Sequence, residues 1–188
     1  RAGLMTPIPP AVAAFAPADR TLPRMIAAQA ARHGDAPLFT CGTARWTYRE
    51  TPGVAARMAG ALRAAGIAAG DRVAILANNR PEIMQILLGC GWLGAVGVPL
   101  NTAVKTRQLR YYLENSGARL LVADPALLAA LETEALAGLP LEKVWALGPF
   151  TDGRGVAAEP FNGEGEPVPA APLRPGDPFA ILYTSGTT

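Results

Sequence analysis

Residues 184–188 read Thr-Ser-Gly-Thr-Thr and follow directly on the apolar run Pro178 to Tyr183. A glycine between hydroxyl residues at the exit of a strand is the composition of a loop that wraps an anion. Glycine lets successive backbone N–H groups turn inward, and Ser and Thr hydroxyls add donors around phosphate oxygens. The segment lacks the lysine and spacing of a Walker A loop, and by itself such a cluster is more often an ordinary turn. Asn78-Asn79-Arg80 follows another apolar run, at the carboxyl end of a candidate strand where α/β sheets take ligands. Its alternative reading is a polar turn that caps the next helix.

Other reactive side chains read more simply. His33 precedes Gly34 at a helix end, where a cation favours the terminal carbonyls. Cys41 and Cys90 are the only cysteines and have no CxxC spacing, so neither a disulfide framework nor a zinc site is indicated, and a reducing cytoplasm is the expected compartment. Cys90, Met84, Trp92 and Leu93 lie in an apolar helix and read as core filling. Of Tyr111 and Tyr112, periodicity turns one toward the core; the other could line an interface, which leaves a homodimer open.

The elements that would carry these residues alternate. Thr21-Leu-Pro opens a helix that closes at Gly34. Pro37 to Thr40 and Arg45 to Thr47 form a hairpin, and a helix capped by Thr51 runs from Pro52 to about Ala65, after a Thr47/Glu50 capping box. From there strands at Asp71 to Ala77, Ala95 to Pro99, Arg119 to Ala123 and Lys143 to Leu147 alternate with helices at Pro81 to Leu93, Thr106 to Asn115 (capped by Thr106) and Pro125 to Ala137. This β-α-β series predicts an α/β fold, a largely parallel sheet flanked by helices with a small N-terminal hairpin. Pro178 to Thr184 is expected as one more strand. The divisions are an N-terminal arm over 1–20, an α/β subdomain over 21–147, a Gly/Pro-rich loop over 148–177 and the start of a further subdomain at 178–188.

At 188 residues, 50% hydrophobic and 17% charged, the chain can bury a core. Its formal charge of +2 is too small and dispersed to suggest nucleic acid. Four prolines between Pro7 and Pro17 break any signal-peptide helix. Ile83 to Leu100 is apolar over 18 residues, but its four glycines and final Val-Gly-Val-Pro favour a buried helix and strand over a membrane span.

Taken together, Thr47-Tyr48, Ala65-Gly66-Ile67, Gly70-Asp71-Arg72-Val73, Asn79-Arg80-Pro81-Glu82, Gly94-Ala95-Val96-Gly97-Val98-Pro99-Leu100-Asn101, Ser116-Gly117-Ala118 and Tyr183-Thr184-Ser185-Gly186-Thr187-Thr188 resemble the N-terminal part of adenylate-forming acyl-CoA synthetases. The resemblance runs from about Thr21 to Thr188. The details around Asn101 and Leu109 to Arg119 look like the fatty-acid and crotonobetaine/carnitine-CoA ligases. The resemblance implies ATP and Mg²⁺, a small-molecule carboxylate substrate made into an acyl-adenylate, and CoA as acceptor. It also implies that Thr184, Ser185, Gly186, Thr187 and Thr188 hold the triphosphate as the front half of a phosphate loop. The chain is then an N-terminal fragment, inactive alone, with no catalytic residue and no metal ligand of its own. Two alternatives stay open: a peptide-synthetase-type adenylation domain, and a non-catalytic module binding nucleotide or a partner.

Overall fold

The computed structural model describes residues 15–131, 135–151 and 156–184. After a single 3₁₀ turn at Pro17–Asp19, helix α1 spans Leu22–His33, with Thr21 before it and Gly34 closing it at a φ of 52°. Strands β1 (Pro37–Cys41) and β2 (Ala44–Thr47) pair antiparallel as the expected hairpin. The Thr47/Glu50 box then forms: Glu50 Oε2 accepts from Thr47 N (2.8 Å) and Oγ1 (2.9 Å), and Glu50 N donates back to Thr47 Oγ1 (3.3 Å). Helix α2, Thr51–Ala64, follows, with Pro52 in the first turn where its missing N–H is harmless.

Strands β3 (Arg72–Leu76), β4 (Val96–Pro99), β5 (Leu120–Ala123) and β6 (Lys143–Ala146) alternate with helices α3 (Pro81–Leu93), α4 (Thr106–Ser116) and α5 (Pro125–Ala129). All strand pairs of this sheet are parallel, and with β7 (Glu159–Pro160) the order is β4-β3-β5-β6-β7. Strand periodicity sorts two cores. Val73, Ile75, Leu120, Val122 and Trp145 face Met58 and Leu62 of α2 and Ile86 and Cys90 of α3. Ala74, Leu76, Val98, Leu121, Ala123 and Ala146 face Leu109 and Leu113 of α4 and Leu128 of α5. Both faces of the sheet are covered, so its strands are near-continuous apolar runs. The long apolar stretch from Ile83 to Leu100 divides between α3 and β4, turned by Gly94 at a φ of 81°. Among the described residues no helix is long and apolar enough to cross a membrane.

Four expectations need correction. The fifth helix stops at Ala129 rather than Ala137: Leu131 N–H bonds back only three residues, to Leu128 O (3.0 Å), which buries both leucines in a tighter turn. Helix α4 begins on Thr106 itself, so Lys105, not Thr106, stands at the cap position, and its backbone N–H donates to Gln108 Oε1 (3.4 Å). Likewise Thr51 is the first residue of α2, and its hydroxyl turns back to Thr47 O (2.8 Å). Finally, residues 178–184 meet the sheet at one point, a parallel bridge between Gly97 and Ala180. Gly97 N donates to Phe179 O and Ile181 N to Gly97 O, each at 3.0 Å. The next donor on β4 in a parallel ladder would be residue 99, a proline without an N–H, and the pairing ends there.

The Gly/Pro-rich segment contributes β7 and then a strap across α2 and α3. Gly165 N donates to Arg57 O (3.2 Å), Val168 N to Ala56 O (3.2 Å) and Ala171 N to Trp92 O (2.9 Å), while Trp92 Nε1 donates to Val168 O (2.8 Å). The crossing depends on two glycines. A Cβ on Gly60 would lie 1.9 Å from Glu166 O, and one on Gly165 would lie 2.1 Å from Ala61 N.

Candidate functional site

Strand order reverses between β3 and β5, since β3 leads outward to β4 and β5 leads the other way to β6. The carboxyl ends of β3 and β5 therefore flank the crevice where open α/β sheets usually take ligands. Asn78, Arg80 and Asp124 converge there. Asp124 Oδ2 accepts from Asn78 N (2.7 Å) and Nδ2 (3.1 Å), and Asp124 Oδ1 from Arg80 Nη1 (2.6 Å). The same nitrogen also donates to Leu147 O (2.8 Å), which reaches the end of β6. The other edge of the guanidinium forks onto Glu82 through Nε (2.9 Å) and Nη2 (2.8 Å). These bonds hold Glu82 below its ordinary carboxylate value and Arg80 above its own, in each case chiefly through the Arg80–Glu82 pairing.

Four of the five N–H groups of the Arg80 guanidinium are thus bonded inside the protein. The Asn78-Asn79-Arg80 turn is an internal tie between strand ends, and Arg80 is not a free cation for a ligand. Asp124 was the missing half of this reading. A lone carboxylate closing the run Leu-Leu-Val-Ala-Asp is the signal, one residue past the Leu76–Ala123 pair where Asn78 lies two past it. A cleft of about 560 Å³ opens beside the tie, lined by Arg80, Glu82, Leu147, Phe150 and Phe161 among others, with few polar groups that are not already paired.

The residues leading into the hydroxyl-rich run, 178–184, lie on the opposite flank of the sheet, beyond edge strand β4. Of its residues, Thr184 is described and exposed; Ser185, Gly186, Thr187 and Thr188 lie outside the described residues. The approach to Thr184 is held in two ways. The Gly97 bridge fixes the backbone at Phe179 to Ile181, and Gly97 leaves no room for a side chain because a Cβ would lie 2.6 Å from Leu87 Cδ2. Two residues on, Tyr183 stacks on Tyr112 of α4, ring centroids 4.2 Å apart at 25°, and its hydroxyl donates to Asn115 Oδ1 (2.7 Å). Burial raises the Tyr183 phenol above its ordinary value, so it remains a donor through the neutral range. Ile181 and Tyr183 pack toward the core while Leu182, between them, is 71% exposed.

The remaining reactive side chains keep their plain readings. Cys90 is fully buried, and desolvation pushes its thiol up to about 12, which leaves it un-ionised and unreactive. His33 sits in the last turn of α1 against Tyr48, ring centroids 4.7 Å apart. Tyr112 packs on the core and Tyr111 is 57% exposed, as periodicity required. No group of three or more His, Cys, Asp or Glu that could hold a metal ion occurs among the described residues.

Comparison with known proteins extends this picture. The family model described as "AMP-binding enzyme" matches residues 26–188. A feruloyl-CoA synthase of Amycolatopsis sp is 37% identical over 161 residues, covering 86% of this chain and 28% of that protein. The fatty acid–[acyl-carrier-protein] ligase ScoC of Streptomyces coeruleorubidus is 33% identical over 172 residues, 92% of this chain and 32% of that protein. The crystal structure of a long-chain-fatty-acid-CoA ligase from Archaeoglobus fulgidus superposes with a TM-score of 0.69 at 21% identity, over 93% of this chain and 36% of that one, and speaks to the fold. The chain spans 28% to 32% of the length of these two curated relatives.

Proposed function

The chain belongs to the AMP-binding enzyme family, and on that premise we propose that the protein carrying it is an ATP-dependent acid–thiol ligase. The carboxylate of a small-molecule acid attacks the α-phosphorus of ATP, forming a mixed anhydride with AMP and expelling pyrophosphate. A thiol then attacks the acyl carbon, AMP leaves, and a thioester remains. CoA is the proposed acceptor, and the cytoplasm the proposed location.

The observation that carries the reading is the family match running unbroken onto Thr184-Ser-Gly-Thr-Thr. The donor set fits a triphosphate, since hydroxyls and glycine-flanked amides are neutral donors that gather around anionic oxygens without a competing carboxylate. In this role Thr184, Ser185, Gly186, Thr187 and Thr188 bind the phosphates and stabilise charge as it builds on the departing pyrophosphate. Magnesium enters the proposal only with the nucleotide, because no metal-ligand cluster is found among the described residues. The 188-residue chain by itself supplies one anion-binding segment and is proposed to be inactive alone.

The test is carboxylate-dependent pyrophosphate release by the complete protein with ATP, Mg²⁺ and panels of fatty and aromatic acids. Release that depends on both ATP and acid is the expected result; its absence with every acid overturns the reading. A second reading, transfer to a carrier-protein thiol as in the adenylation domains of peptide synthetases, is favoured by the likeness to ScoC. Supplying CoA or a phosphopantetheinylated carrier protein as sole acceptor separates the two.

A further inference from the structure

Asn115 and the Tyr183 hydroxyl meet at the exposed end of α4, in the last turn before Gly117. Hydrogen bonds in such a position add little to stability, because water replaces them readily in the unfolded chain. Burial of the Tyr183 ring against Tyr112 would be served as well by phenylalanine. The hydroxyl and its partner instead set a geometry. They fix residue 183 to a helix two residues after the Gly97 bridge has fixed residue 181 to the sheet.

We propose that Tyr183 is a positioning residue for the Thr184–Thr188 segment, with Asn115 as its anchor: the Tyr183–Asn115 bond sets where that segment leaves the sheet. The inference rests on the reading of the segment as the phosphate holder. Ordering backbone costs conformational entropy, so a segment whose first residue is already tied gives up less of it when an anion arrives. With the bond removed, Thr184 starts from a wider set of positions, and nucleotide rather than carboxylate bears the loss. The edge contact of Tyr111 with the Tyr183 ring, at 6.5 Å between centroids, limits sideways motion but offers no hydrogen bond in its place.

The experiment measures, in the complete protein, the KM for ATP, the KM for the best carboxylate, kcat and the melting temperature. Tyr183→Phe keeps the stack and removes the hydroxyl; Asn115→Leu removes the near acceptor at 2.7 Å and leaves only the longer contact to Tyr112 O at 3.3 Å; Asn115→Asp retains a side-chain acceptor. Tyr183→Phe and Asn115→Leu are expected to lower kcat/KM for ATP by about three- to tenfold, with the carboxylate KM and the melting temperature held. The double variant is expected to be no worse than either single one, and Asn115→Asp to restore most of the loss. If kcat/KM for ATP stays within about twofold of wild type in both single variants, or if it falls only in proportion to folded protein, the positioning role is overturned. If the wild-type protein shows no ATP-dependent activity, the functional reading fails, and this inference falls with it.

Discussion

Arg80 Nη1 stands 2.6 Å from Asp124 Oδ1 across the crevice between β3 and β5, with Arg80 about a quarter exposed and Asp124 less so. The pair joins two strand ends that are 44 residues apart in the chain, and a third through Leu147 O. Asp124→Ala strips a carboxylate from Asn78 and Arg80 together and leaves both donors facing a half-closed site. A loss of about 2 to 4 kcal/mol of folding stability is expected in urea denaturation, discounted from the fully buried case for residual solvent. Activity per folded molecule should hold, because the tie belongs to the scaffold; a raised substrate KM at constant stability would show that Arg80 reads a ligand.

Glu82 supplies the pH dependence of this tie. Its folded-state value lies below the ordinary 4.5, chiefly through its hydrogen bonds to Arg80. A depressed carboxylate contributes stability that is present above its unfolded value and is lost as pH falls through the folded one. The melting temperature should therefore hold from neutral pH to about 5 and drop below about 4.5, with a shallower drop in Glu82→Gln. Parallel pH profiles for the two proteins would assign the acid sensitivity to other groups.

Gly60→Ala sets a methyl group 1.9 Å from Glu166 O, so the strap must lift from α2. Overpacking of this kind costs roughly 1 to 3 kcal/mol. Gly53→Ala in the same helix meets only the flexible Arg57 guanidinium at 3.3 Å and should be neutral or slightly stabilising. Melting temperatures of the pair check this, and equal behaviour would mean that the strap is loosely held.

In the complete protein, Thr184→Val and Thr187→Val together should lower adenylation about a hundredfold or more while the melting temperature holds. Each change is nearly isosteric and removes a hydroxyl, and hydrogen bonds to charged groups are worth about 1.5 to 3 kcal/mol. Unchanged pyrophosphate release with a lowered melting temperature would mean that these hydroxyls only shape a turn.

The scaffold was legible wherever burial imposes a period on the sequence. Val73 to Leu76 and Leu120 to Ala123 are apolar without alternation because helices cover both faces, and α3 begins at Pro81 and ends before Gly94 as its punctuation says. Two residues cannot show a period, so β7 carries no signal in the sequence; it exists because Phe161 N and Glu159 find β6 beside them, through Ala146 O (2.9 Å) and Lys143 Nζ (3.2 Å). The hydroxyl-rich segment announced itself by composition, whereas its anchor did not. Nothing local to Tyr183 reveals an acceptor 68 residues away, and Asn115 alone is an ordinary polar residue near the end of a helix.

The single bridge at Gly97 also closes a long stretch of chain with few bonds. β3 pairs with β4 across one helix and with β5 across two, but Ala180 reaches Gly97 only after β5, β6, β7 and the strap have intervened in the chain. Long-range closure of this kind comes late and, held by two backbone bonds, opens early. The amides of Gly97 and Ile181 should exchange with solvent well before those of Val73 or Val122. The hydroxyl-rich segment then hangs from the least persistent seam of the sheet, so a nucleotide that closes on it would slow exchange there first and leave the central strands unchanged.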